Sequence, residues 1–198
     1  MDGLANRLVR VRLSVVVLAG LVLGFGVTSG VLLGADLARA LACTSNPGQQ
    51  GTGGDDNYTD PVDKATTIDM LAGDDDAEMG NCNDTVYGGG GFDELHGAAG
   101  VDNVLGQGDN DRPSSCDPNN NCGGLHGGSG NDTIRGGAGL DDLEDIQAGS
   151  DTDNLYGEGE NDVLSSTDGD GNDRLDGGAG TDNCQGDTSP ADTKVNCP

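Results

Sequence analysis

Residues 88–105 read GGGGFDELH and then GAAGVDNVL, two nine-residue phrases laid end to end. Each has glycine at its first and fourth places, aspartate at its sixth (Asp93, Asp102) and an aliphatic residue at its eighth (Leu95, Val104). Followed outward, the period of nine holds from residue 79. MGNCNDTVY precedes the pair and GQGDNDRPS follows it; then come PNNNCGGLH, GGSGNDTIR, GGAGLDDLE, AGSDTDNLY, GEGENDVLS, DGDGNDRLD and GGAGTDNCQ, with short insertions between blocks. The sixth place reads Asp84, Asp93, Asp102, Asp111, Gly123, Asp132, Asp141, Asp153, Asp162, Asp173 and Asp182, aspartate in ten of eleven units. The eighth reads Val86, Leu95, Val104, Pro113, Leu125, Ile134, Leu143, Leu155, Leu164, Leu175 and Cys184. One buried-type side chain therefore recurs per unit, the pattern of a stacked solenoid whose units cannot bury a core alone.

Composition sets limits on this reading. The 198-residue chain has no Trp, two Phe and three Tyr, so a conventional core is not expected. Thirty-five acidic residues against nine Lys and Arg give a formal net charge of -26, which excludes nucleic acid as an electrostatic partner. A chain so acidic and glycine-rich is ordinarily disordered, unless a regular repeat and bound cations cancel the repulsion.

The phrase GGxGxDxUx, with U a large apolar residue, resembles the RTX (repeats-in-toxin) calcium-binding nonapeptide. The resemblance implies an all-β fold, a parallel β-roll resembling a β-helix solenoid. Each unit gives a six-residue turn and a three-residue strand, and two units complete a coil. Calcium then sits between turns stacked on the same side, with Asp84, Asp93, Asp102, Asp111, Asp132, Asp141, Asp153, Asp162, Asp173 and Asp182 as the metal-binding residues. Elementary chemistry points the same way. Glycine admits positive φ in the turn, and oxygen-only donors suit calcium, which accepts six to eight irregular ligands, better than magnesium. Zinc is disfavoured: His96 and His126 fall at ninth places beside the turn and read as solvated. In-register pairs include Asp84 with Asp102, Asp93 with Asp111, and Asp141 with Asp162 across an insertion. Gly123 reads as a defective site, and Pro113 as an interruption of the roll near residues 112–122.

The flanks read differently. Arg7, Arg10 and Arg12 precede an apolar run from Leu13 to Leu33, and small-x-small patterns follow at Ala38 to Ala42. Residues 1–40 thus read as a secretory signal peptide, with a mature start near Leu41 or Cys43, or as an uncleaved membrane anchor. Residues 41–78 read as a polar, flexible lead-in in which Ile68, Met70 and Leu71 form a capping strand. The roll is expected over 79–185 and a tail over 186–198. Six cysteines in an exported chain suggest a disulfide framework, for which spacing proposes Cys116–Cys122, Cys184–Cys197 and Cys43–Cys82.

No enzyme is legible: neither HExxH nor GxSxG occurs, and the carboxylates belong to the repeat. The EF-hand-like start DGDGND at Asp168 fails because Asp173 takes the glycine position and Ala179 the place of the last glutamate. RTX toxins leave by an exporter that reads a C-terminal signal, whereas this chain carries an N-terminal signal pattern and ends in TSPADTKVNCP. The expectation is therefore a small exported calcium-binding module with a structural or surface-interaction role. A calcium-dependent adhesin and a membrane-anchored accessory to a separate enzyme are the alternatives.

Overall fold

The computed structural model describes residues 43–60, 64–111 and 124–198. The signal or anchor segment, Pro113, Gly123 and the Cys116–Cys122 pairing lie outside the described residues. From Leu41 to the C-terminus the chain forms one compact unit. Among the described residues there is no helix. The strands are β1 (Thr44–Gln50), β2 (Asn57–Thr59), β3 (Lys64–Asp69), β4 (Asp76–Glu78), β5 (Thr85–Gly90), β6 (Glu94–Gly100), β7 (Asn103–Gly108), β8 (Leu125–Gly130), β9 (Thr133–Ala138), β10 (Asp142–Glu144), β11 (Asn154–Gly159), β12 (Val163–Ser166), β13 (Arg174–Asp176), β14 (Asn183–Gly186) and β15 (Thr193–Val195).

Odd-numbered strands make one parallel sheet of eight and even-numbered strands a second of seven, each in sequence order. The chain therefore alternates between two facing sheets and builds a parallel β-solenoid of about seven coils. Side chains alternate sides along a strand, so with the eighth place inward, the seventh and ninth point out and the first points in again. The eighth-place column is the core. In the odd sheet Ile68, Val86, Val104, Ile134, Leu155 and Leu175 stack in register. In the even sheet the stack is Ala77, Leu95, Leu125, Leu143 and Leu164, ending at Cys184. From Val86 to Leu175 these aliphatic residues are at most 1% exposed.

Three sequence expectations change. First, residues 41–78 are not a flexible lead-in: β1 to β4 extend both sheets through them, and Ile68 belongs to the solenoid itself. GTGGDDNYT (51–59) and MLAGDDDAE (70–78) are repeats with Asp56 and Asp75 at the sixth place. Second, the tail adds β15, which pairs with β13. Third, the interruption expected near residues 112–122 falls inside one unit, and the strands on either side of it stay in register. Leu95 pairs directly with Leu125 and Val104 with Ile134. Asp111 occupies the sixth place of the coil whose eighth place is Leu125, so GQGDND (106–111) and GLH (124–126) are two halves of one unit split by an insertion. Pro113 and Gly123 were assigned places that Leu125 and Asp111 hold.

Cys43–Cys82 and Cys184–Cys197 are disulfides, as their spacing suggested. On the outer face of the even sheet the ninth-place rings of His96 and His126 stack at 4.5 Å, 4° from parallel. His126 is buried at 9% exposure, so the expectation of solvated histidines does not hold for it. Adjacent strands bring these two ninth places side by side, and stacking removes one face of each ring from water.

Candidate metal centre

The turns between the sheets carry the sixth-place aspartates, and stacking of coils arranges these in two columns. On the way to the odd sheet the column runs Thr66, Asp84, Asp102, Asp132, Asp153, Asp173 and Asp192. Each backbone N–H donates to the Oδ1 of the next member at 2.7 to 3.3 Å. On the way to the even sheet it runs Asp56, Asp75, Asp93, Asp111, Asp141, Asp162 and Asp182, with the same bond at 2.7 to 3.1 Å. The pairs expected from the sequence, Asp84 with Asp102, Asp93 with Asp111 and Asp141 with Asp162, are neighbours in these columns. Sequence reasoning missed Asp56, Asp75 and Asp192. The first two were legible in the Gly54 and Gly73 that stand at the fourth place before them, but Tyr58 and Ala77 disguise the eighth place.

One oxygen of each carboxylate is thus satisfied. The other, Oδ2 of Asp75, Asp84, Asp93, Asp102, Asp111, Asp132, Asp141, Asp162, Asp173 and Asp182, is buried with no hydrogen-bond donor. Burying a charged oxygen without a partner costs several kcal/mol, so each needs a cation or a proton. Burial is the largest cause of the raised carboxyl pKa of Asp75, Asp84, Asp93, Asp102, Asp111, Asp132, Asp141, Asp153, Asp162 and Asp173, outweighing the backbone N–H that favours the ionised form. It pushes Asp102 and Asp111 up to about 8, Asp153 and Asp162 to about 7, and Asp93, Asp132, Asp141 and Asp173 to about 6. Facing aspartates add to the rise, as Asp132 does for Asp102 and Asp141 for Asp111.

The turn glycines have two separate causes. At many second and fourth places the backbone is left-handed, even where the residue is not glycine: Ala98, Gln107 and Glu158 have φ of 72°, 82° and 77°, and Asp109 and Glu160 68° and 75°. Each such residue costs about 1–2 kcal/mol that glycine avoids. At the first place the requirement is room. That position points inward, and a Cβ on Gly88 would run into Oδ2 of Asp93, as one on Gly106 would into Oδ2 of Asp111. Glycine there leaves a polar space in front of the unpartnered oxygen. Hard, anionic oxygens around a cradle that a methyl group would fill are the donor set of calcium rather than of zinc or copper.

Two further groups of carboxylates lie off the regular pattern. Asp132, Asp145 and Asp153 bring ligand oxygens within 4.8 Å of one another, all three residues buried, and Asp151, Asp168 and Asp170 do so nearer the surface. Asp145 was not legible as a ligand because the insertion after it breaks the count of nine, and in the sequence count Asp151, Asp168 and Asp170 hold fourth, first and third places of their units rather than the sixth.

The chain matches no curated protein and no solved structure. The family model of the RTX calcium-binding nonapeptide repeat matches it four times, over residues 80–113, 125–144, 144–170 and 166–188. The first two matches break at the same insertion that the strand register locates between Asp111 and Gly124. With its aspartate columns and glycine cradles in place, the chain belongs to the RTX calcium-binding nonapeptide repeat family.

Proposed function

We propose that this chain is an exported, non-enzymatic structural or surface-interaction module that folds when it binds calcium outside the cell. The observation that carries the proposal is the pair of columns, in which ten buried aspartates are each left with one bare oxygen. In this reading Asp84, Asp93, Asp102, Asp111, Asp132, Asp141, Asp153, Asp162, Asp173 and Asp182 hold the ions, joined by Asp75, and the turn carbonyls complete the shell. The bound ions supply the positive charge that lets neighbouring carboxylates lie one above another. Oδ1 of each aspartate holds the adjacent coil by its backbone N–H, Oδ2 faces the cradle, and the first-place glycine keeps the space open. Export fits the two disulfides, which persist in oxidising compartments.

The test is a calcium titration of the full chain followed by far-ultraviolet circular dichroism. β-Structure should appear cooperatively, at the roughly 10⁻⁴ to 10⁻³ M typical of extracellular calcium modules, and magnesium should substitute poorly. Asp93→Asn with Asp102→Asn keeps an oxygen for each backbone N–H while deleting one charge from each column, and should raise the midpoint severalfold. Asp76→Asn, on an exposed outer-face residue bonded to Asn57, should leave it unchanged. An equally β-structured chain in chelator, or equal responses from the two variants, would sink the proposal.

A further inference from the structure

The inward first place is the most constrained position of the repeat, and among the coils with aspartate in both columns one puts a charge there. In the coils that carry both columns this place is Gly88, Gly97, Gly106, Gly127, Gly136, Gly157 or Gly177, with buried Ser166 holding it at the end of β12. Asp145 occupies it in the turn between β10 and β11. Its backbone N–H donates to the carbonyl of Ser165 at 2.8 Å, the bond that Met70, Met79 and Gly177 make at the first places of their own coils. The insertion that lengthens this turn therefore begins after Asp145, and its side chain is committed to the interior.

The consequence is a third carboxylate in a space that elsewhere holds two. Asp145 is 3% exposed, and its Oδ2 has no hydrogen-bond donor. That oxygen is aimed at the cradle of the neighbouring coil, where a Cβ on Gly127 would meet both it and Oδ2 of Asp132. Asp132 and Asp153, successive rungs of the odd-sheet column, complete the group within 4.8 Å. Three anions packed together without a cation repel one another. Burial first, then Asp153, Asp132, Asp151 and Asp173, push the Asp145 carboxyl up to about 9.

We infer that Asp132, Asp145 and Asp153 form a calcium site distinct in kind from the regular rungs: it carries one more negative charge and fills first and most tightly. Affinity among oxygen-ligand calcium sites is tuned by the number of charged ligands and the rigidity of the frame. Here both increase, since all three carboxylates are fixed by burial in successive turns. An ion held at this site ties the β10–β11 turn to the turn before β9, so it nucleates the coils on either side while the regular rungs fill at higher concentration. The inference rests on the calcium-binding reading above and concerns only the order and strength of binding.

Isothermal titration calorimetry with calcium chloride on the full chain separates the two. The wild type should show a first component at least tenfold tighter than the rest. Asp145→Asn removes the charge at constant shape, and Asp145→Gly restores the residue of most other coils. Both should lose the tight component yet still gain β-structure at saturating calcium, and Asp93→Asn should keep it. An unchanged tight component in both Asp145 variants overturns this inference alone, as does a wild-type isotherm with no distinct tight component. Absence of any calcium binding by the wild type overturns it together with the proposed function.

Discussion

In most central coils the inward first place is glycine, and a carboxylate turns into the space it leaves; in the first coils the same place holds Met70 and Met79. Both methionines are buried, at 0% and 3% exposure, and pack in the hydrophobic core. Thr66 replaces aspartate in the column beside them, and Cys43–Cys82 ties β1 to the turn before β5. At the far end Cys184 and Lys194 take eighth places that are aliphatic in the centre, and Cys184–Cys197 closes the last coil. At these two ends, Met70, Met79 and the two disulfides stand where the central coils have cradles or aliphatic residues. In the proposed reading the ends hold without metal and cap a middle that depends on it.

The largest contrast should appear on removing calcium near neutral pH, and its sign with pH is unusual. Burial raises the folded pKa of Asp93, Asp102, Asp111, Asp132, Asp141, Asp153, Asp162 and Asp173 to between about 6 and about 8, above the unfolded value of about 3.9, so protonation of these groups favours the folded state. That stabilisation is complete below about pH 4. It is lost as pH climbs through about 6, where Asp93, Asp132, Asp141 and Asp173 ionise, and about 8, where Asp102 and Asp111 do. In chelator, β-structure should therefore fall as pH rises from 4 to 9. With saturating calcium the direction reverses, because protons then compete with the metal. Hydrogen exchange at pH 7.5 in chelator should strip protection from residues 127–176 by orders of magnitude and leave more of it in 64–87. Uniform protection across both regions would break the comparison.

The same contrast explains what could be read in the sequence. A column of ten aspartates beside a column of aliphatic residues specifies parallel coils with one inward side chain each, because no other register serves both. Counting in contiguous nines fails where an insertion splits a unit. Asp111 and Leu125 belong to one coil, and GQGDND lacked its strand until GLH supplied it from beyond residue 123. The first coils were illegible for a different reason. With Met at the first place, and Tyr58 or Ala77 at the eighth, their pattern departs from the phrase although the backbone path does not. Asp145 was hidden because an inward place looks like loop when the residues after it are out of count.

A smaller effect comes from converting end into centre. Met79→Gly restores a cradle in front of Asp84, whose Oδ2 is among the bare oxygens. Loss of the buried side chain should cost about 2–5 kcal/mol, read as lost protection over 64–87 in chelator. Calcium should recover part of that loss in the variant, giving this coil a stronger metal dependence than it has in the wild type. A variant that is destabilised equally with and without calcium would mean that the methionine does not stand in for a metal cradle.

The smallest effect is expected at the C-terminal disulfide. Cys184→Ala with Cys197→Ala keeps an apolar group at the half-buried eighth place and removes only the covalent closure of a short loop, with cysteines 13 residues apart in sequence. Chain entropy sets the loss at no more than about 3 kcal/mol, and it falls on the last coil, because β14 and β15 are edge strands with one neighbour each. Exchange should therefore accelerate over 183–195, while the calcium midpoint of the whole roll moves by less than about twofold. The central carboxylates hold one another through Oδ1 bonds and metal that the disulfide does not touch, so a frayed end should cost them nothing. If the midpoint instead shifts as far as it does for Asp93→Asn with Asp102→Asn, the cap and the metal-bound coils fold as one cooperative unit, and the division of labour drawn between them fails.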